Sequence, residues 1–123
     1  MPILSNFIPE HGNNQNQFLP QLEDIFTAAT RIQAYIHKTP IQKNSSIASI
    51  IGASEFYAKC ENFQKVEAFK ARGAWNALFS LSDEEAKNGV VAHSSGNHAQ
   101  GVAYAARMRK VPVLLLCLSQ VRK

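Results

Sequence analysis

Apolar positions in this chain fall into short periodic runs separated by polar, proline or glycine breaks. After Pro20, the residues Leu22, Ile25, Phe26, Ala29, Ile32 and Ile36 recur at helical spacing, with Glu23, Asp24, Thr30 and Arg31 between them. This predicts an amphipathic helix whose acidic first turn suits the helix dipole. It should end at "HKTP", because the residue before Pro40 is pushed out of the helical region. "NSSIASIIG" predicts a short helix capped by Asn44 or Ser45 and stopped by Gly52. "SEFYAKCE" alternates, with Phe56, Ala58 and Cys60 on one side and Tyr57 and Lys59 on the other, which predicts a strand. A loop then leads into a helix from about Phe69 to Leu81, with Ala71, Ala74, Leu78 and Leu81 on one face.

The second half repeats the alternation. "LSDEEAKNG" opens on a capping-box pair, Ser82 and Glu85, and predicts a short helix ending at Gly89. "VVAHSS" reads as a brief buried strand, "GNHAQG" as a glycine-bounded turn and "VAYAARMRK" as a small-residue helix. "VPVLLLCL" is continuously apolar, as expected of a strand buried on both faces. Together these elements predict an α/β fold with parallel strands joined by helices. Residues 1–18, with "HGNNQNQ", read as a polar, poorly ordered lead.

Composition changes this picture little. An apolar fraction of 46% and a charged fraction of 18% are those of a globular domain. The net charge of +4 raises the question of nucleic acid. Its basic residues are scattered, however, apart from Arg107, Arg109 and Lys110 and the terminal Arg122 and Lys123. With no basic stripe interleaved with aromatics, no nucleic-acid partner is expected. Cys60 and Cys117 lie in apolar runs without the spacing of a metal site, so buried free thiols are expected and no metal. The chain opens on no basic segment followed by a long apolar core, and "VPVLLLCL" is too short to span a bilayer. No membrane partner and a reducing, cytoplasmic setting are expected.

Chemistry concentrates in two segments. In "AFKARGA", Lys70 sits at a strand-to-helix loop, where open α/β sheets place ligands. A partly desolvated amine there can form a Schiff base with a carbonyl. On these residues alone, a solvated surface lysine is the plainer reading. In "HSSGNHAQG", two hydroxyls, an amide, an imidazole and free backbone N–H groups converge on one turn that opens a helix. Such a turn is either a capped helix start or a site for a carboxylate or phosphate. It is neither GxGxxG nor GxxxxGK[ST], and without GxSxG a Ser/His nucleophile pair has little support.

Taken together, "ENFQKVEAFKARGAWNAL" followed by "VVAHSSGNHAQGVAYAARM", with "HKTPI" upstream, resembles the fold-type-II pyridoxal-phosphate enzymes. The resemblance is to their serine/threonine dehydratase (ammonia-lyase) and serine racemase group, and it runs from about Leu22 to Val113. It implies an incomplete three-layer parallel-sheet fold of the tryptophan-synthase-β-like kind. Residues 19–81 would open the larger, pyridoxal-phosphate domain, and residues 82–123 the smaller one. It implies pyridoxal 5′-phosphate as cofactor, a small amino-acid substrate (L-threonine or L-serine) and a homo-oligomer for the full-length protein. Lys70 would carry the Schiff base and remove the substrate α-proton. Phe69 would pack on the cofactor ring, and Asn97 would hydrogen-bond its 3′ oxygen. Ser94, Ser95, Gly96, Asn97 and His98 would take the substrate carboxylate. In the racemase branch Ser95 would be a second acid/base.

Three departures qualify this reading. Glu67 stands where the family commonly has glycine, bringing a carboxylate near an anionic ligand unless it points to solvent. The tail after Val113 drifts from the family pattern. The family's phosphate-cradling glycine-rich loop and its partner for the pyridine nitrogen come later than Lys123. The sequence therefore reads as an N-terminal fragment of an L-threonine/L-serine ammonia-lyase, inactive alone. A serine racemase of the same fold, and a non-catalytic chain that binds a full-length partner, are the alternatives.

Overall fold

A computed structural model describes residues 19–117, so the expected lead over 1–18 and the end of the tail lie outside the described residues. Among these, helices and strands alternate. They are α1 (Leu22–Ile32), β1 (Ile41–Lys43), α2 (Ser45–Ile51), β2 (Tyr57–Lys59), α3 (Lys70–Ser80), α4 (Asp83–Lys87), β3 (Val90–His93), α5 (Asn97–Arg109) and β4 (Val113–Leu116). Two single-turn 3-10 helices, Glu61–Phe63 and Lys65–Glu67, connect β2 to α3.

Capping sets most helix boundaries. The Glu85 N–H donates to Ser82 Oγ at 3.2 Å, and the Ser82 N–H donates to Glu85 Oε2 at 2.7 Å, which closes the expected capping box of α4. Asn44, not Ser45, caps α2: its Oδ1 accepts the Ile47 N–H at 2.9 Å. Gly52 ends α2 with φ +69°, a conformation that costs glycine no Cβ clash. Two boundaries differ from expectation. α1 stops at Ile32 rather than at "HKTP", because the Tyr35 N–H turns back to the Ile32 carbonyl at 2.9 Å. That turn stacks Tyr35 on Trp75, with ring centroids 4.9 Å apart and planes 10° from parallel. α5 begins at Asn97, so most of the expected "GNHAQG" turn is helix and Gly101 lies inside it.

The parallel α/β unit is present in the second half. β3 and β4 run parallel, from Val90 opposite Val113 to His93 opposite Leu116, with α5 as the crossover. The first half departs from the all-parallel expectation. β1 pairs antiparallel with β2, Ile41 opposite Lys59. Flanking bonds extend this ladder: the Asn44 N–H donates to the Phe56 carbonyl and the Cys60 N–H to the Pro40 carbonyl, each at 3.0 Å. β2 keeps the expected alternation, with Ala58 half-buried between exposed Tyr57 and Lys59. β4 was expected to be buried on both faces, but Leu114 and Leu116 are 47% and 49% exposed. Only α5 and β3 cover it among the described residues, and so continuous an apolar run needs cover on both sides.

α3 and α5 pack against each other at the centre. Ala71, Ala74, Trp75 and Leu78 of α3 meet Val102, Ala105 and Ala106 of α5, with Val90 and Ala92 of β3 beside them. The predicted α3 face holds at Ala71, Ala74 and Leu78, while Leu81 is half-buried and Trp75 supplies most of the volume. Arg109 donates to the carbonyls of Leu78 and Leu81 (2.6 Å to the latter), satisfying carbonyls at the end of α3. Part of the basic cluster is thus structural. The apolar stripe of α1 is the larger correction: Leu22, Ile25 and Phe26 are 59%, 59% and 63% exposed, and only Ile32 is buried. Cys60 is buried as expected. Cys117 is not: it is exposed, and its thiol donates to the Ser94 carbonyl at 3.2 Å. No described helix is long and apolar enough to cross a membrane.

Candidate active site

The connection from β2 to α3 is built around two buried or half-buried polar side chains. The amide of Gln64 mimics a neighbouring strand for His37. Its Oε1 accepts the His37 N–H at 2.8 Å and its Nε2 donates to the His37 carbonyl at 2.8 Å. Oε1 also accepts the Lys65 N–H at 2.9 Å. Burial of Gln64 is therefore fully compensated by hydrogen bonds. Glu61 accepts two parallel bonds from Arg72, Nε and Nη2 each at 2.7 Å, and a third from the Thr39 hydroxyl at 2.6 Å. The Arg72 guanidinium beside it, helped by the Thr39 hydroxyl, holds the Glu61 carboxyl down to about 2 against the opposing effect of burial. Glu61 in turn raises the proton affinity of Arg72. These bonds fasten the first turn of α3 to the "HKTP" segment.

Sequence spacing gave no signal for this cluster. Its partners are 11, 22 and 27 residues apart and share no local periodicity.

Val66 and Glu67 follow, both with φ +54°. For residues with a Cβ, this left-handed conformation costs roughly 1–2 kcal/mol each. It gives a backbone reason for the glycine that the resembled family carries at position 67. Glu67 itself is exposed, which removes the electrostatic objection raised by its charge. Ala68 returns to an extended backbone and is buried, and Phe69 and Lys70 then emerge exposed at the start of α3. Lys70 Nζ lies 5.2 Å from the centre of the Phe69 ring and makes no hydrogen bond or ion pair among the described residues. The partial desolvation that would free its amine is not supplied by the described residues.

The second segment leaves the end of β3. The Ser94 N–H extends the β3–β4 ladder to the Leu116 carbonyl at 3.1 Å. Ser94 Oγ accepts the Gly96 N–H at 3.3 Å, which tightens the turn. Gly96 then takes the N-cap of α5 without any side chain to satisfy the first N–H groups. Those orphan donors, together with the dipole of a 13-residue helix, suit an anion. Ser95, Gly96 and Asn97 are exposed, and Ser94 and His98 half-buried.

α5 brings the two segments together. A Cβ built on Gly101 would lie 3.3 Å from the Lys70 carbonyl oxygen and 3.2 Å from Ala74 Cβ. Asn97 is one turn earlier on α5, about 6 Å along its axis. One helix–helix contact thus joins the backbone of Lys70, with the Phe69 ring beside its amine, to the helix that starts at Asn97. A groove of about 680 Å³ lined by Ile25, Ile32, Ile36, His37, Lys59 and Arg72 includes none of these residues.

Chemically, a lysine amine can condense with a carbonyl compound, and an uncapped helix start such as that of α5 can take a carboxylate. The residues fit the aldehyde end of pyridoxal phosphate in type: a lysine without a hydrogen-bond or ion-pair partner among the described residues, with the Phe69 ring beside it. Residues 32–122 match the pyridoxal-phosphate dependent enzyme family. A serine racemase from Dictyostelium discoideum is 56% identical over 90 residues, covering 73% of this chain and 28% of the relative. An L-threonine ammonia-lyase from Thermotoga maritima is 45% identical over 95 residues, covering 77% of this chain and 23% of the relative. The crystal structure of serine racemase from Dictyostelium discoideum superposes with a TM-score of 0.76 at 48% identity, over 84% of this chain and 34% of that one. The chain belongs to the pyridoxal-phosphate dependent enzymes and shares the α/β frame of their fold type II. It spans less than a third of the length of the curated relatives described above.

Proposed function

We propose that this chain forms part of an enzyme that removes the α-proton of L-serine or L-threonine. The observation that carries the reading is the packing of Lys70 against the first turns of α5 at Gly101. When bound, pyridoxal phosphate supplies an electron sink for the bond broken at Cα. Lys70 would hold the cofactor, and its amine would take the α-proton. Phe69 would pack against the cofactor ring, and the Asn97 amide would donate to its 3′ oxygen. The Ser94 and Gly96 N–H groups are already bonded, so the N–H groups of Ser95, Asn97 and His98 would take the substrate carboxylate and orient Cα. In the racemase branch the Ser95 hydroxyl would return a proton to the opposite face of Cα.

Two outcomes share this first step. In the ammonia-lyase outcome the β-hydroxyl leaves as water, and water adds back to release a 2-oxo acid and ammonia. In the racemase outcome Ser95 protonates the opposite face and D-serine forms. The 56% identity to a serine racemase, against 45% to an L-threonine ammonia-lyase, favours the second. In this reading residues 19–81 open the larger domain and residues 82–123 the smaller, with α3 against α5 as their seam.

The test uses the full natural protein with pyridoxal phosphate. Borohydride reduction should label Lys70 specifically, and L-serine should yield D-serine by chiral detection. Pyruvate and ammonia as the main products would return the reading to the ammonia-lyase. Label scattered over the lysines, with no product of either kind, would overturn both. Lys70→Ala should lower kcat by at least about 10³-fold, since the attachment point and the base are lost together.

A further inference from the structure

We propose that Gly101 is a positioning residue: its missing side chain sets the distance between Lys70 and the carboxylate-binding turn at residues 94–98. The proposal rests on the functional reading above and names a residue that takes no part in binding or proton transfer. Gly101 is buried inside α5, where glycine has no conformational purpose. In a helix interior, alanine is better than glycine by roughly 1 kcal/mol. Steric space explains its presence. A Cβ at Gly101 would meet Ala74 Cβ at 3.2 Å, the Lys70 carbonyl oxygen at 3.3 Å and the Lys70 carbonyl carbon at 3.4 Å. Two of these three atoms are backbone of the very residue that carries the amine, and helical backbone does not yield as a flexible side chain would.

The frame around the contact transmits any displacement. Ala71, Ala74 and Ala105, all buried, let α3 and α5 approach closely around the contact, and the close-packed Trp75 and Leu78 beyond them leave little room for a shift. The first turn of α3 is fastened by Arg72 to Glu61, and the 94–98 turn by Ser94 to β4. An added methyl group must therefore move α5 and its N-terminus away from Lys70. A misplacement of about 1 Å can cost 10²-fold in rate, so a few tenths of an ångström should cost roughly 10-fold.

The experiment compares wild type, Gly101→Ala and Arg107→Ala in the full natural protein. Arg107 is on the same helix but exposed, and should behave as wild type. For Gly101→Ala, kcat with L-serine should fall roughly 10-fold while borohydride labelling of Lys70 persists, since Lys70 belongs to α3. A crystal structure of the variant should show a longer Lys70 Cα to Asn97 Cα distance than wild type. If Gly101→Ala fails to fold, the double variant Ala74→Gly/Gly101→Ala removes the tightest contact but keeps the Lys70 backbone contact. It should fold and keep both the lengthened distance and the kcat deficit. An unchanged distance, or wild-type kcat, in the folded variant overturns the proposal. Unlabelled Lys70 and no turnover in wild type would instead overturn the functional reading, and the distance measurement would still decide the role of Gly101.

Discussion

Glu67 shows how backbone geometry reaches the reactive lysine one residue at a time. Its φ of +54° follows the same angle at Val66, so two side-chain-bearing residues hold the left-handed conformation four and three residues before Lys70. Glycine at 67 would adopt that conformation without the Cβ clash, though it would also widen the unfolded ensemble. The two effects oppose, and relief of a clash worth roughly 1–2 kcal/mol should win narrowly. Glu67→Gly is expected to stabilise the fold by about 0.5–1 kcal/mol, whereas Glu67→Ala should leave it nearly unchanged. Urea denaturation of the three proteins checks this, and equal midpoints for glycine and alanine would remove the strain argument. Gly89 is the converse case. At φ +75°, a Cβ there would come within 2.9 Å of the Pro112 carbonyl oxygen, so Gly89→Ala should cost more than about 2 kcal/mol. At this scale the sequence exposed Lys70 and the 94–98 turn through residue type and order. It could not expose the role of Gly101, because a glycine inside a helix reads as a breaker until the neighbouring backbone is seen.

Elements were legible where a local rule fixed them. Ser82 with Glu85 marked α4, Asn44 and Gly52 bounded α2, and the alternation around Ala58 marked β2. β1 escaped because its three residues are all exposed and leave no buried-exposed alternation to detect. The end of α1 escaped because it is set by Tyr35 reaching Trp75, 40 positions along the chain. Antiparallel β1–β2 pairing escaped for the same kind of reason, since strand direction is a tertiary property. The Glu61–Arg72–Thr39 cluster is the element-scale feature with a solution signature. The folded Glu61 carboxyl titrates at about 2, below its ordinary 4.5. Its contribution to stability is thus full above about pH 4.5 and is lost as pH falls through about 2. Both partners are partly in contact with solvent, so that contribution is on the order of 2 kcal/mol. Glu61→Gln should lower stability at neutral pH and flatten the acid limb of the stability curve between about pH 4.5 and 2. Thermal unfolding across that range measures it, and a wild-type slope in the variant would place the acid sensitivity elsewhere.

On the scale of the whole molecule, the decisive fact is where the described residues leave apolar surface uncovered. Leu22, Ile25 and Phe26 along α1 and Leu114 and Leu116 on β4 are each about half or more exposed, and both elements carry the apolar pattern of buried ones. Their periodicity predicted burial because local pattern reports what an element needs, not what covers it. The relatives are about three times longer than this chain, which is the scale of structure such faces would pack against. Uncovered faces and an open strand edge favour association. A chain of residues 1–123 alone should therefore self-associate with rising concentration and bind an apolar dye. The double variant Phe26→Glu/Leu114→Lys should weaken both, because it charges the two faces without touching the α3–α5 core around Trp75. Sedimentation velocity gives the association state, and Trp75, the single tryptophan, reports whether that core survives. If wild type sediments as a dye-silent monomer, these faces close on each other or on the undescribed ends. If the charged variant loses the native Trp75 emission instead, they belong to the core, and the α3–α5 seam cannot be the whole of what holds the chain together.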